Sequence, residues 1–264
     1  MGPHSESKAL VTGAAQGLGL AIAKELISQG CRQLVLVDVD EAQGLERAKE
    51  LQVNGVQTTF IKTDMGNVAE VTAMVDKANA VMGGINVLAN AAGNTERGSI
   101  LDTSVENWDR INDVNAKGPF FALQRFAQLA IEAGHSATAL NILSIVVHGG
   151  TPFLAPYGAS KASLLYTTKN SANTLAKHHI RVNGINVGWM DTPGEDYRQK
   201  ASHARSDGWQ EEAKANTAFG ALVKPEEVAC LAAFFLGPQS GVATGSIVDF
   251  DQQVVGAYPD TDEI

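Results

Sequence analysis

The chain has 264 residues, of which 44% are hydrophobic, and carries 20 basic against 29 acidic residues for a formal charge of −9. That apolar content can bury one substantial core, while the negative charge repels the phosphate backbones that dominate nucleic-acid affinity and the anionic faces of membranes, so neither is an expected partner. Cys31 and Cys230 are far apart and belong to no CxxC or Cys/His cluster, which argues against a disulfide framework or a zinc site and leads us to expect a reducing, cytoplasmic setting with no bound metal.

Residues 1–7 carry neither the basic nor the apolar run of a leader and are expected to be disordered, with His4 outside any functional reading. Lys8–Thr12 reads as a buried strand. Leu18, Ala21, Ile22 and Leu26 then recur at helical spacing until Gly30. Leu34–Val37 is a second apolar run, closed by Asp38 and followed by the helix formers of Glu41–Leu51. Further strands are predicted at Thr58–Ile61, Asn86–Ala89, Ala139–Leu143, Arg181–Ile185 and Ser246–Val248, mostly separated by segments long enough for crossover helices. The last helix is punctuated by Pro225, Glu226 and Glu227 at its start and Gly237-Pro238 past its end. This alternation predicts an α/β fold: a single-domain, Rossmann-like, doubly wound parallel sheet of about seven strands with helices on both faces. The alternation is expected to form one unit over 1–264. Asp191–Gly220 lacks clear periodicity and is a candidate substrate lid.

Chemistry concentrates at the carboxyl ends of the predicted strands, where ligands bind in open α/β sheets. Thr12–Gly19 (TGAAQGLG) joins the first strand to the first helix, and its glycines permit a tight turn and close backbone approach to a pyrophosphate at the helix N-terminus. Asp38 can accept hydrogen bonds from both hydroxyls of an adenosine ribose. No Lys or Arg stands at Ala14, Ala15, Gln16 or Val39 to neutralise a 2′-phosphate, so NAD is inferred over NADP, against the plainer reading of a solvated turn aspartate. Asp64 follows the third strand and Asn90-Ala91-Ala92-Gly93 the fourth; each fits either a cofactor edge or ordinary turn chemistry.

Tyr157 is the one tyrosine with a basic residue four positions on, Lys161, so the two project from one helical face. Use of a phenol as a proton acceptor near neutrality requires its value, about 10 when free, to fall by roughly two or three units. A unit charge at ~4 Å in an effective dielectric near 20 contributes about 4 kcal/mol, enough for that shift. Ser144 ends the fifth strand and could hold a substrate oxygen, while Asn115 could distort a helix by bonding its backbone and hold a relay water beside Lys161.

Together these residues resemble the classical short-chain dehydrogenase/reductase family, from the first strand to about Asp249. The resemblance implies a catalytic tetrad of Asn115, Ser144, Tyr157 and Lys161, with Tyr157 as acid/base, Ser144 as substrate-oxygen ligand, Lys161 as ribose ligand and tuner of Tyr157, and Asn115 as water holder. The cofactor set it implies comprises Gly13, Gln16, Gly17, Leu18, Gly19, Asp38, Asp64, Met65, Asn90, Ala91, Gly93, Gly188, Met190 and Thr192, besides Tyr157 and Lys161. It also implies a homotetramer, in keeping with the apolar circumference of Phe120–Glu132 and Tyr157–Lys177. Two departures stand out: Val187-Gly188 in place of Pro-Gly, and Val248-Asp249-Phe250-Asp251 in place of Val-Asp-Gly-Gly.

The lid is rich in charge (Glu195, Asp196, Arg198, Lys200, His203, Arg205, Asp207), which favours a sugar or polyol over a steroid or long acyl chain. Phe153, His148, Trp189 and Trp209 either line the same pocket or pack as core. The alternatives to a NAD-dependent sugar or polyol dehydrogenase are a 3-oxoacyl thioester reductase and a non-catalytic NAD-binding regulatory or scaffold protein. The tail Val254–Ile264 fits either a subunit contact or a frayed end.

Overall fold

The structure, a computed structural model, describes residues 2–201 and 205–257. Seven parallel strands form one sheet in the order β3-β2-β1-β4-β5-β6-β7. They are β1 (Lys8–Thr12), β2 (Gln33–Asp38), β3 (Gln57–Lys62), β4 (Val87–Asn90), β5 (Ala137–Ser144), β6 (Ile180–Val187) and β7 (Ile247–Phe250). The helices are α1 (Gly17–Ser28), α2 (Glu41–Glu50), α3 (Val68–Met82), α4 (Val105–Asn112), α5 (Gly118–Ala133), α6 (Ala155–Leu175), α7 (Pro193–Ala201), α8 (Trp209–Ala215) and α9 (Pro225–Leu236).

Alternation along each strand divides the apolar residues between two cores. In β1, Ala9 and Val11 join Leu18, Ile22, Val228 and Ala232 from α1 and α9 on one face. Leu10, between them, joins Val71, Val75, Leu123 and Phe126 from α3 and α5 on the other. Each such fully buried aliphatic or aromatic side chain contributes roughly 1.5–3 kcal/mol, which is why short strands without polar interruption suffice.

The strand order reverses between β1 and β4, opening the crevice that an open parallel sheet offers a ligand. Thr12 fastens its two lips: its hydroxyl oxygen accepts hydrogen bonds from the amides of Ala91 and Ala92, both at 3.1 Å. A second tie runs through the sheet, where Asn90 Nδ2 donates to Asn141 Oδ1 (2.9 Å) and Asn141 Nδ2 donates to Thr168 Oγ1 of α6 (2.9 Å). α6 is thereby fixed in register with the strand ends.

Two expectations are corrected. Within residues 1–7, those from Gly2 onward are ordered against the domain: the His4 ring is fully buried, with Nε2 at 3.0 Å from the Ala233 carbonyl and Nδ1 at 2.8 Å from Ser7 Oγ. Met1 lies outside the described residues. The interval 191–220 contains α7 and α8, whose buried Trp209 and Ala213 pack with Leu222 as a small core of their own. Their shortness and polar composition leave little apolar period to read. His203 and the tail from Tyr258 lie outside the described residues. Among the described residues no helix is long and apolar enough to cross a membrane.

Candidate active site

Tyr157 sits in the first turn of α6, and Lys161 one turn later is buried, its Nζ donating to the Ile142 carbonyl of β5 at 2.8 Å. The ammonium lies 5.8 Å from the centre of the Tyr157 ring. Ser144 closes β5 and is buried; its Oγ faces the amide of Val146 (3.4 Å) and stands beside the Tyr157 hydroxyl. Asn115 lies in a π-helical turn, Asp113–Lys117, between α4 and α5. Such a turn widens the helix and swings the side chain inward. The expectation that this side chain bonds its own helix is corrected: Oδ1 accepts the Asn94 amide (2.7 Å), while Nδ2 donates to the Asn94 carbonyl (2.8 Å) and Ser160 Oγ (3.0 Å). Ser160 in turn donates to the Tyr157 carbonyl at 2.7 Å, so Asn115 braces both the loop after β4 and the start of α6.

Gly93 is where these parts meet. A Cβ there would stand 3.6 Å from Asn115 Oδ1 and 3.8 Å from Lys161 Nζ. All four predicted tetrad residues therefore gather at the carboxyl ends of β4 and β5 and the start of α6.

Electrostatically, burial dominates. It raises the Tyr157 phenol above the ordinary tyrosine value, opposed by the Ser144 hydroxyl and by the positive charge of Arg198, and reinforced by Glu195. The expected tuning by Lys161 is not what governs the ligand-free chain, because burial pushes the Lys161 ammonium itself down to about 8. Both groups are thus held toward their neutral forms, as desolvation requires when no strong counter-charge is adjacent.

The dinucleotide side is built from backbone. Gly13 and Gly17 adopt φ of 67° and 55°, and a Cβ on Gly13 would come within 2.8 Å of the Ala92 backbone. Gly19 is equally constrained, since its Cβ would meet the Gly13 carbonyl oxygen at 2.2 Å. α1 begins with no side-chain cap from Gln16 and no acidic residue in its first turn, leaving an electropositive helix end facing the crevice. Asp38 accepts the Ala15 amide on one oxygen and the Asp40 amide on the other, both at 3.1 Å, which pins it to the glycine turn while each oxygen keeps acceptor capacity. These features fit a dinucleotide: a turn closed to a Cβ at Gly13 and Gly19, a free helix N-terminus and an anchored carboxylate.

Other predicted cofactor residues divide by role. Thr192 and Gly194 lie over the glycine turn: Gly17 faces the Thr192 side chain, and Gln16 Nε2 lies near Gly194. Asp64 accepts the Gly66 amide (2.8 Å) and lines a groove of about 690 Å³ with Asn94, Asp113 and Lys117. By contrast the side chains of Leu18 and Met65 are buried in the cores, and Asn90 points into the sheet, so for these three a cofactor contact is confined to the backbone. Ala91 uses its amide on Thr12, Met190 pairs with Val223 just before α9, and Gly188 packs against the Asp251 carboxylate. The altered motif after β6 keeps its pairing, with the Gly188 amide donating to the Phe250 carbonyl at 3.0 Å. Asp249 accepts from Asn186 (2.7 Å) and lies 3.0 Å from His148 Nε2. Trp189 stacks on Trp209 with ring centres 5.6 Å apart. Sequence reading misses Asn94, Ser160, Asn141 and Thr168: the first two are small polar residues next to Gly93 and Lys161, and the other two carry no local signal because their partners lie far along the chain.

A family model described as enoyl-(acyl carrier protein) reductase matches residues 13–252. An uncharacterized oxidoreductase of Thermotoga maritima is 33% identical over 253 residues, covering 95% of this chain and 97% of its own. Galactitol 2-dehydrogenase of Agrobacterium fabrum is 30% identical over 238 residues, covering 88% and 91%. The crystal structure of the F189W actinorhodin polyketide ketoreductase with NADPH superposes with a TM-score of 0.88 at 28% identity, covering 96% of this chain and 99% of that one.

Burial of Lys161 makes a stability prediction. Its folded value, about 8, lies below the unfolded value, so between the two the unfolded chain binds more protons and stability rises with pH. That window runs from about pH 8 to about pH 10.4, and the raised Tyr157 acts in the opposite sense from about pH 10 upward. Thermal melts of ligand-free protein are therefore expected to favour wild type progressively over Lys161→Met as pH climbs from about 7 to 10. A difference independent of pH would contradict it.

Proposed function

The chain belongs to the short-chain dehydrogenase/reductase family, and on that premise we propose that it transfers a hydride between NAD and a small polar alcohol or carbonyl substrate, a sugar or polyol. Oxidoreductase action on hydroxyl or carbonyl groups comes with the family; the cofactor preference, the substrate class and the residue roles are the proposal. The observation that carries it is the convergence of Asn115 and Lys161 on Gly93, with Ser144 beside the Tyr157 hydroxyl.

NAD supplies the hydride acceptor in oxidation, and its reduced form the donor in reduction. Gly13, Gly17 and Gly19 would let its pyrophosphate approach the start of α1, Asp38 would accept from the ribose hydroxyls, and Thr192 would meet the nicotinamide end. Ser144 donates a hydrogen bond to the substrate oxygen and orients it toward Tyr157. Tyr157 removes the hydroxyl proton in oxidation and returns it in reduction. Lys161 binds ribose and stabilises the phenolate, whose cost in this dry site is offset when cationic charge is brought close. Asn115 holds the relay water and, through Asn94 and Ser160, keeps Gly93 and Tyr157 in place.

NAD is preferred to NADP because Asp38 would face a 2′-phosphate with like charge and no Lys or Arg stands at Ala14, Ala15, Gln16 or Val39 to offset it. The ketoreductase, solved with NADPH, gives the thioester alternative its support, but the charge of −9 offers an acidic carrier no attraction. A reducing cytoplasmic setting suits the two free cysteines. The partly exposed Trp108, Phe120 and Tyr166 on α4, α5 and α6 offer apolar surface for a homotetramer, and light scattering should give four times the 27.8 kDa chain mass.

Tyr157→Phe is expected to lower kcat by about 10²–10⁴-fold on an active alcohol while NAD affinity, read by calorimetry, stays within about twofold. Asp38→Ala should weaken NAD and relax its discrimination over NADP. Unchanged turnover in the first variant would remove Tyr157 from the chemistry, wild-type preference for NADP would overturn the cofactor assignment, and NAD binding with no turnover across alcohols, sugars and polyols would favour a scaffold.

A further inference from the structure

We propose that the substrate carries an anionic group, a carboxylate or a phosphate, and that Arg97 and Arg198 receive it at the mouth of the Tyr157 site. This names the substrate class of the hydride-transfer site and rests on that reading.

Arg97 is placed by the loop after β4. Its neighbour Gly98 is stitched to the entry of α6: the Gly98 amide donates to Phe153 (3.0 Å), and the Ala155 amide donates to Gly98 (2.9 Å). Tyr157 lies in the turn so anchored. The Arg97 guanidinium rests 4.4 Å from the centre of the Phe153 ring, which fixes the side chain without satisfying its donors. It is half-buried, and burial lowers its pKa against the opposing charge of Glu195. Arg198 lies on α7. It too is half-buried, and its positive charge is felt at the Tyr157 phenol. Among the described residues neither guanidinium donates a hydrogen bond or joins an ion pair.

The neighbouring charges do not cancel this pair. Glu195, whose field reaches both Arg97 and Tyr157, has its Oε1 occupied by neutral donors, Trp189 Nε1 at 2.8 Å and Gln199 Nε2 at 2.6 Å. Arg205, which also acts on Arg97, is paired with Glu212 at 3.1 Å. Asp196 is taken by Lys200 at 3.1 Å and by Trp209 and Gln210. Glu195 thus acts on Arg97 and on Tyr157, Arg198 acts on Tyr157, and among the described residues neither guanidinium has an ion pair, so an anion at this end of the site would meet two cations against one carboxylate. A planar fork of donors suits carboxylate and phosphate alike. The overall charge of −9 does not bar such a ligand, since at physiological salt distant surface charges are screened over about 8 Å.

The test uses the full-length enzyme with NAD and three six-carbon probes: glucitol, gluconate and glucitol 6-phosphate. One anionic probe is expected to exceed glucitol in kcat/KM by tenfold or more, gluconate indicating a carboxylate and glucitol 6-phosphate a phosphate. Arg97→Gln and Arg198→Gln should each raise KM for the favoured anion roughly 10–100-fold, while the Kd for NAD and the melting temperature stay near wild type. Preference for glucitol overturns the proposal, as does a rise in the NAD Kd without a rise in substrate KM, which would assign the arginines to the cofactor. Calorimetric titration of the anions onto Tyr157→Phe with NADH separates the two readings. Arginine-dependent binding, in a protein whose wild type turns over no probe, would sustain the anion site and sink hydride transfer. Turnover of glucitol with no anion binding would do the reverse.

Discussion

A lysine ammonium enclosed between a strand end and a helix is expensive, and the geometry around the Tyr157 hydroxyl follows from how the fold bears that cost. Among the described residues the Lys161 ammonium has one hydrogen-bond partner, the Ile142 carbonyl, and its value falls to about 8. Holding it there requires α6 to lie close along β5, which the Asn90–Asn141–Thr168 ladder enforces. The same enclosure keeps the Tyr157 phenol protonated. A site so arranged is ready for a cationic ligand: each added positive charge lowers the cost of the phenolate far more than it would in water.

The remainder of the molecule serves that enclosure. Reversal of strand order between β1 and β4 makes the crevice, and Thr12 ties its lips so that the glycine turn and the Asn90–Gly93 loop keep a fixed separation. Thr192 and Gly194 lie against the same turn, and Asn115 braces the loop after β4 against α6. Chemistry and specificity thereby share scaffolding: Arg97 leaves the loop that Asn115 holds, and Arg198 lies on the helix that follows Thr192.

Much of this was legible in the sequence because buried parallel strands must be apolar without interruption. Each predicted strand overlaps an observed one, and the glycine turn announces itself by residues that a Cβ would forbid. What stayed hidden has a common cause: polar side chains satisfied by distant partners leave no local period. His4 stands in a start segment with no local pattern, and its partner, the Ala233 carbonyl, lies across the domain. Asn115 was expected to bond its own helix when its donors and acceptor belong to Asn94 and Ser160. α7 and α8 were missed because short polar helices carry few apolar residues, and Arg97, a lone cation in a loop, carried no signal until Phe153 was seen beneath it. The tuning of Tyr157 was misjudged for a related reason, since spacing places a charge nearby but does not reveal what burial does to that charge.

The most direct test of this enclosure is the phenolate absorbance of Tyr157, taken as wild type minus Tyr157→Phe and titrated with and without oxidised NAD. The account predicts no phenolate below the ordinary tyrosine range in the free enzyme, and a clear downward shift once the dinucleotide is bound. A phenolate already formed near neutrality in the free enzyme, or a titration that the dinucleotide leaves unmoved, would contradict it.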